Sequence, residues 1–234
     1  MGARALGLLV VAVALILAGQ PGDMRLAGAE AFPLDAIGRV LKGDQYLCTA
    51  FAVRSLERRG FNPYYARTVF ENWIVTAGHC FAGDLWFQQG RNRHRITRVI
   101  GFSGDVEGYD VLVAAFYTPT AVPTLELGFG EYPQPGDPLL LIGYARSALT
   151  MRVNPLLGYD ARGHMEIAGY ASPGTSGGPV LLPGTRRVVG IGIETTLDRP
   201  AGAAPLHCVF VACRIKPPYT AAHIDRIKGV ARFP

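Results

Sequence analysis

Helical periodicity is nearly absent from this chain, which argues against architectures that alternate strands with helices. The one stretch with helical spacing is 219–227, where Ala222, Ile224 and Ile227 are expected to face inward and His223, Asp225 and Arg226 to face solvent. Internal repeats and low-complexity linkers are also missing, so solenoids and tethered modules are not expected. Charge is sparse, at 18% of 234 residues, whereas glycine (29) and proline (17) are plentiful. That balance suits many short strands joined by turns. Such runs recur at 37–41, 48–56, 68–76, 85–87, 95–102, 110–116, 138–144, 165–168, 178–182, 187–195 and 209–215, and Gly, Pro, Asn or Asp fills most gaps. The fold class read from this pattern is all-β, a barrel or a sandwich.

Long apolar runs are missing after the first one. Arg4 precedes an apolar run over residues 5–19, too short and wrongly flanked for a membrane span. Ala27-Gly28-Ala29 follows as a small-x-small cleavage site. Residues 1–29 are therefore read as a signal peptide, with an uncleaved anchor as the alternative, and the mature chain is expected to begin at Glu30. The localisation this implies is secreted or periplasmic, with no membrane association after signal removal.

Strong single-sign charge is lacking too. The formal net charge of +5 aids solubility without pointing to nucleic acid. The densest basic cluster, Arg91, Arg93, His94, Arg95 and Arg98, reads as a solvated hairpin loop. Cysteines number four, and export would permit disulfides. Cys48 and Cys80 edge two apolar segments that read as neighbouring strands, so a Cys48–Cys80 bridge pinning the turn at His79 is expected. Cys208 and Cys213 are different. If extended, the segment between them spans about 16 Å, whereas a disulfide needs about 4.4–6.8 Å between Cα atoms. Either a tight turn joins them or both are free thiols.

Chemistry concentrates in three places. Thr76-Ala77-Gly78-His79-Cys80 closes an apolar run, Asp110 opens another, and Pro173-Gly174-Thr175-Ser176-Gly177-Gly178-Pro179 encloses a serine in glycine. A serine hydroxyl is a poor nucleophile until a neighbouring base takes its proton. His79 is the best base on offer, because imidazole both accepts and returns a proton near neutral pH. The base needs a carboxylate to fix its tautomer. Asp110, at the head of Val111-Leu112-Val113, is preferred for this over Asp84 and Asp105. The glycines suggest a backbone that side chains would obstruct, from which the N–H groups of Gly174 and Ser176 converge as an oxyanion hole. Pro and Gly cluster over 118–136, between His79 and Asp110 on one side and Ser176 on the other. Two barrels meeting at a cleft would assemble all three residues at their interface.

These segments, with Ile37-Gly38-Arg39-Val40 and Cys48-Thr49-Ala50-Phe51, resemble the signature segments of the chymotrypsin-like (trypsin-fold) serine peptidases. The resemblance runs from about residue 37 to the C-terminal stretch. It implies two antiparallel six-stranded barrels, the active site in the cleft between them, and a C-terminal helix. The halves would span 30–127, carrying His79 and Asp110, and 128–234, carrying Ser176. It further implies a secreted serine endopeptidase working through an acyl-enzyme. In it His79 is the base, Asp110 its orienting carboxylate, Ser176 the nucleophile, and Gly174 and Ser176 the oxyanion hole. No cofactor or metal is implied; the partner is a polypeptide substrate, not nucleic acid, and the expected state is a monomer. Thr175 stands where zymogen-activated animal enzymes carry Asp, and no activation-type cleavage sequence opens the barrel. The chain is therefore expected to fold active, closer to the bacterial glutamyl-endopeptidase and HtrA-like branches. No segment of PDZ size follows, so the full HtrA architecture is not expected.

Tyr170, Ala171 and Ser172 resemble the floor and wall of the first substrate pocket, and Ile193, Glu194 and Thr195 the strand that pairs with substrate backbone. No Asp stands at the pocket floor, so a preference for Arg or Lys has no direct support. Two other readings compete. One is a trypsin-fold protein that has lost activity and serves as a binding module. The other is an α/β-hydrolase-type esterase, since Gly174-Thr175-Ser176-Gly177-Gly178 also satisfies a nucleophile elbow. That esterase would need Asp198 with His207 or His223, and helices that the upstream half lacks.

Overall fold

The computed structural model describes residues 34–58, 68–104, 110–145, 147–169, 172–193 and 219–233. Two sheets hold all the strands among them. The first comprises β1 (Ile37–Lys42), β2 (Gln45–Arg58), β3 (Val69–Ala77), β4 (Trp86–Gln89), β5 (Asn92–Arg95), β6 (Arg98–Ser103) and β7 (Val111–Thr118), in spatial order β5-β4-β1-β2-β3-β7-β6. The second comprises β8 (Glu126–Leu127), β9 (Pro138–Ala145), β10 (Ala148–Tyr159), β11 (Met165–Ile167), β12 (Pro179–Leu181), β13 (Arg187–Ile193) and β14 (Tyr219–His223). There β12 pairs with both β9 and β13, closing the ring β12-β9-β10-β11-β14-β13 into a six-stranded barrel. The short β8 attaches to β13 in parallel; every other pairing is antiparallel. The first sheet is a half-barrel whose outer strands β5 and β6 do not pair among the described residues. The protein is thus all-β, as its sequence implies, with one closed and one open barrel.

Strand β7 explains why its sequence reads as one continuous apolar run. Val111, Val113 and Ala115 point into a core shared with Leu140, Ile142, Leu181, Val188 and Ile191 of the second sheet. Leu112, Ala114 and Phe116 point the other way, into the interior of the first sheet with Ala50, Ala52, Ile74 and Phe87. A strand buried on both faces has no polar side to alternate with. Strand β3 does the same, sending Trp73 and Val75 to the shared core and Ile74 and Ala77 inward. The second barrel has its own filling of Leu139, Leu141, Leu156, Met165, Ile167, Val180 and Val189.

Three local expectations change. Residues 219–227 are not one helix: Tyr219–His223 is strand β14, paired with β11 and β13, and Ile224–Gly229 winds as a 3-10 turn. Ala222, Ile224 and Ile227 are buried as expected, but so is His223, whose ring stacks on Tyr132 and whose Nε2 lies 2.8 Å from the Glu131 carbonyl. The basic cluster includes a strand, β5, which is itself largely exposed and forms a hairpin with β4. Finally, β10 escapes the sequence pattern altogether, because along Ala148–Asn154 neither of its faces is buried.

Strand β3 also carries a buried carboxylate. Glu71 is 3% exposed and accepts from Trp73 Nε1 (2.9 Å), Arg58 Nε (2.8 Å) and the Arg98 guanidinium. Burial alone would push its carboxyl up. The Trp73 and Arg58 hydrogen bonds and the two guanidinium charges outweigh that and hold it below its ordinary value. A depressed carboxyl contributes stability above its unfolded pKa and loses it as pH falls through the folded one. Glu71→Gln should therefore cost about 1–3 kcal/mol at pH 7. The deficit should shrink as the medium is acidified below the ordinary glutamate range, which denaturant melts at both pH values will read.

Candidate active site

The turn that carries His79 forms because β3 ends against β7. Gly78 opens a 3-10 turn, Gly78–Cys80, and a Cβ there would run into the Ser103 carbonyl and the backbone of Val111. Only glycine fits. Cys80 then closes a disulfide with Cys48 of β2, so the turn is tied to two neighbouring strands. His79 leaves the turn one-third exposed, with its side chain at 32%.

Asp110 faces it at the start of β7, in a left-handed conformation (φ 41°) that short polar residues tolerate best. Its carboxylate is fully buried. One oxygen accepts from the His79 backbone N–H at 2.8 Å, and the other lies 2.8 Å from Nδ1 of the same residue. A carboxylate held at both oxygens by one histidine fixes that ring's orientation. It also favours the tautomer with its proton on Nδ1, leaving Nε2 as the basic nitrogen. Of the rival carboxylates, Asp84 is 81% exposed and paired with Arg95. Asp105 lies outside the described residues.

The serine loop is held from three sides. Gly177 N–H donates to Gly192 O (2.7 Å), Gly192 N–H to Gly178 O (2.8 Å), and Thr49 N–H to Ser176 O (2.9 Å). Gly174 (φ 94°) and Gly177 (φ 81°) adopt conformations that side chains rarely reach, and both have backbone or side-chain atoms where a Cβ would sit. Thr175 is buried and turns its hydroxyl back on the Ser172 carbonyl (2.7 Å), satisfying itself locally. Ser176 is 3% exposed, and its Oγ has no hydrogen-bond partner among the described residues. A buried hydroxyl left unpaired ordinarily costs about 1–3 kcal/mol.

His79 and Ser176 line one cavity of about 350 Å3, together with Gly174, the Cys48–Cys80 pair and Tyr46. His79, Asp110, Ser176 and Gly174 are therefore brought to one place. Ser172 lends its carbonyl to the same loop, and Ile193 is buried at the end of β13. Tyr170, Ala171, Glu194 and Thr195 lie outside the described residues, as do Cys208, Cys213 and residues 1–29. The sequence reading missed Tyr46 and the role of Thr49. A polar residue in the middle of the apolar run Leu47–Val53 was the available signal for Thr49, which is fully buried. Burial pushes the Tyr46 hydroxyl up to about 12. Among the described residues the one grouping of potential metal donors is Cys48, His79 and Cys80. Both sulfurs are committed to the disulfide, so neither is a thiolate ligand.

Comparison with known proteins decides the lineage. The trypsin-like peptidase domain family matches residues 48–191, more than half of the chain. The chain belongs to that family. A solved structure that this trypsin-like peptidase resembles is Rv3671c from M. tuberculosis H37Rv, in an inactive serine-to-alanine form. The two share 18% identity over 88% of this chain and 91% of that one, with a TM-score of 0.58. At that identity the likeness speaks for the fold. No curated protein sequence matches the chain.

Proposed function

We propose that this trypsin-like peptidase is a secreted serine endopeptidase with Ser176 as nucleophile, His79 as general base and Asp110 as the carboxylate that orients it. The observation that carries the reading is His79 held at 2.8 Å by a fully buried Asp110, in the same cavity as a buried Ser176 hydroxyl without a partner. In this reading Ser176 Oγ attacks the scissile carbonyl carbon while its proton passes to Nε2 of His79. The imidazolium that forms is stabilised by the Asp110 carboxylate. The tetrahedral oxyanion accepts from the N–H groups of Gly174 and Ser176, neither of which donates to another group among the described residues. Collapse expels the amine, which takes the proton from His79 and leaves an acyl-enzyme. Water enters, His79 removes its proton, and the acid departs as Ser176 recovers its own.

Residues 1–29 serve as the signal, and the two halves of the mature chain divide between residues 127 and 128, within the Pro- and Gly-rich stretch 118–136. A disulfide within the domain fits an oxidising compartment. No helix among the described residues is long and apolar enough to cross a membrane. Thr175, neutral and satisfied by Ser172, makes no demand for a cationic N-terminus, so the enzyme works without an activating cleavage. That supports a reading nearer the bacterial glutamyl-endopeptidase and HtrA-like branches than the zymogen-activated animal enzymes. The test is to express the full chain through its own N-terminal segment, collect the exported protein, and digest a mixed peptide library. Cleavage by the untreated protein, lost in His79→Ala, is the expected result. Activity that appears only after a further cut near Ile37 would refute self-sufficient activation, and no cleavage under any treatment would refute the peptidase reading.

A further inference from the structure

Tyr46 and Thr49 reach from β2 of the first sheet onto the serine loop carried by the second. Thr49 Oγ1 donates to the Gly174 carbonyl at 2.8 Å and accepts the Tyr144 N–H at 2.8 Å. The Tyr46 hydroxyl also bonds the Gly174 carbonyl, and lies 2.6 Å from the carbonyl of Tyr144. It has one proton, shared between two acceptors in a three-centre bond. The Thr49 backbone is engaged as well, giving its N–H to Ser176 O and receiving Thr76 Oγ1 at 2.6 Å. Gly174 is what admits the phenol: a Cβ there would lie 2.5 Å from Tyr46 Cε1 and 2.7 Å from Tyr144 O.

The clamped carbonyl has a particular place in the backbone. The peptide unit between Gly174 and Thr175 lies between the two units whose N–H groups form the proposed oxyanion hole. Its carbonyl is gripped by Tyr46 and Thr49, and its N–H donates to Ser172 O at 3.0 Å. A unit held at both ends resists rotation, because turning it means breaking those hydrogen bonds together. If it did rotate, the neighbouring N–H groups would swing off their common point. We propose that Tyr46 and Thr49 are positioning residues that fix the oxyanion donors for the transition state, doing from within the first sheet what an N-terminal ion pair does in zymogen-activated relatives. This rests on the reading of Ser176 as nucleophile. Because burial raises the Tyr46 pKa, its hydroxyl keeps its proton, and stays a donor, well above neutral pH.

The test uses Tyr46→Phe, Thr49→Val and the double variant of the exported protein. Thr49→Ser is the rescue. Ser55→Ala, which removes a hydrogen bond to Asn72 elsewhere between β2 and β3, is the control for general loosening. Four quantities are read: kcat and KM on a peptide substrate, the rate of fluorophosphonate labelling, and the affinity for a peptide boronic acid whose tetrahedral adduct mimics the transition state. Complete loss of one oxyanion donor costs about 10²–10³ in kcat. Displacement of both donors without loss of either should fall at the lower end. The expected result is about 10-fold for each single variant and about 100-fold for the double, in kcat, labelling and boronate affinity alike. KM should stay nearly unchanged and Thr49→Ser should be close to wild type. A melting temperature lowered as in Ser55→Ala, with kcat and boronate affinity intact, would show a merely structural role and overturn the proposal. If Thr49→Val does not fold, Tyr46→Phe, which removes one oxygen, is judged by the same readouts. A wild-type protein that takes no label would overturn the nucleophile assignment and this proposal together, whereas a labelled wild type with fully active variants overturns this proposal alone.

Discussion

Ser176→Ala should lower kcat by about 10⁶-fold, the scale of loss when a triad nucleophile is removed, while leaving the protein folded and able to bind substrate. The physical case rests on how little else changes. Ser176 is 3% exposed, its Oγ has no partner among the described residues, and its backbone carbonyl keeps the Thr49 N–H in either variant. Deleting an unpaired buried hydroxyl leaves no donor or acceptor stranded. The variant should therefore melt at or slightly above the wild-type temperature. A residual rate about 10³–10⁴ above water should persist, from the oxyanion donors and substrate positioning alone. Steady-state hydrolysis of a peptide, with a thermal melt of the same samples, checks both halves. An equal loss of activity and fold would mean that Ser176 holds the loop together rather than attacking substrate.

Asp110→Asn should lower kcat by about 10⁴-fold with the fold intact. Asparagine suits the left-handed backbone at this position as well as aspartate does, and it has the same shape. It cannot, however, accept at both oxygens. If its carbonyl oxygen keeps the His79 N–H, its amide N–H groups face Nδ1, which can then no longer carry a proton. The proton moves to Nε2, and the nitrogen that should receive the Ser176 proton becomes a donor. If the amide turns round, a donor meets the buried backbone N–H of His79 instead, leaving both unsatisfied. A pH–rate profile with an unperturbed midpoint and only a small drop in kcat would show that Asp110 merely caps the turn.

Much of this site was legible because its chemistry is local in sequence. The His79 turn and the Ser176 loop each declare themselves by glycines beside a reactive side chain. Asp110 was singled out because it opens a run that is apolar throughout, and β7 is apolar throughout because it has a core on both faces. Strand β10 was not legible for the opposite reason. Leu149, Met151 and Val153 all face solvent, so the usual link between apolar character and burial fails there. Strand β5 was hidden by Arg93 and Arg95, which an exposed edge tolerates and a charge pattern reports as loop. The stretch 219–227 imitates a helix because Ala222, Ile224 and Ile227 are all buried, although the first belongs to a strand and the others to a 3-10 turn. The grip of Tyr46 and Thr49 on Gly174 joins residues 128 and 125 positions apart. Contacts of that range follow from the packing of the two sheets, and no spacing rule anticipates them.

The central claim is that Ser176 attacks because His79 takes its proton. Intact-mass analysis after brief exposure of the purified protein to a fluorophosphonate tests it most directly, with peptide mapping of the adduct and parallel samples of Ser176→Ala and His79→Ala. The expected result is a single adduct on Ser176, absent in Ser176→Ala and slower by orders of magnitude in His79→Ala. No adduct on the wild type, an adduct on another residue, or labelling of His79→Ala at the wild-type rate would contradict it.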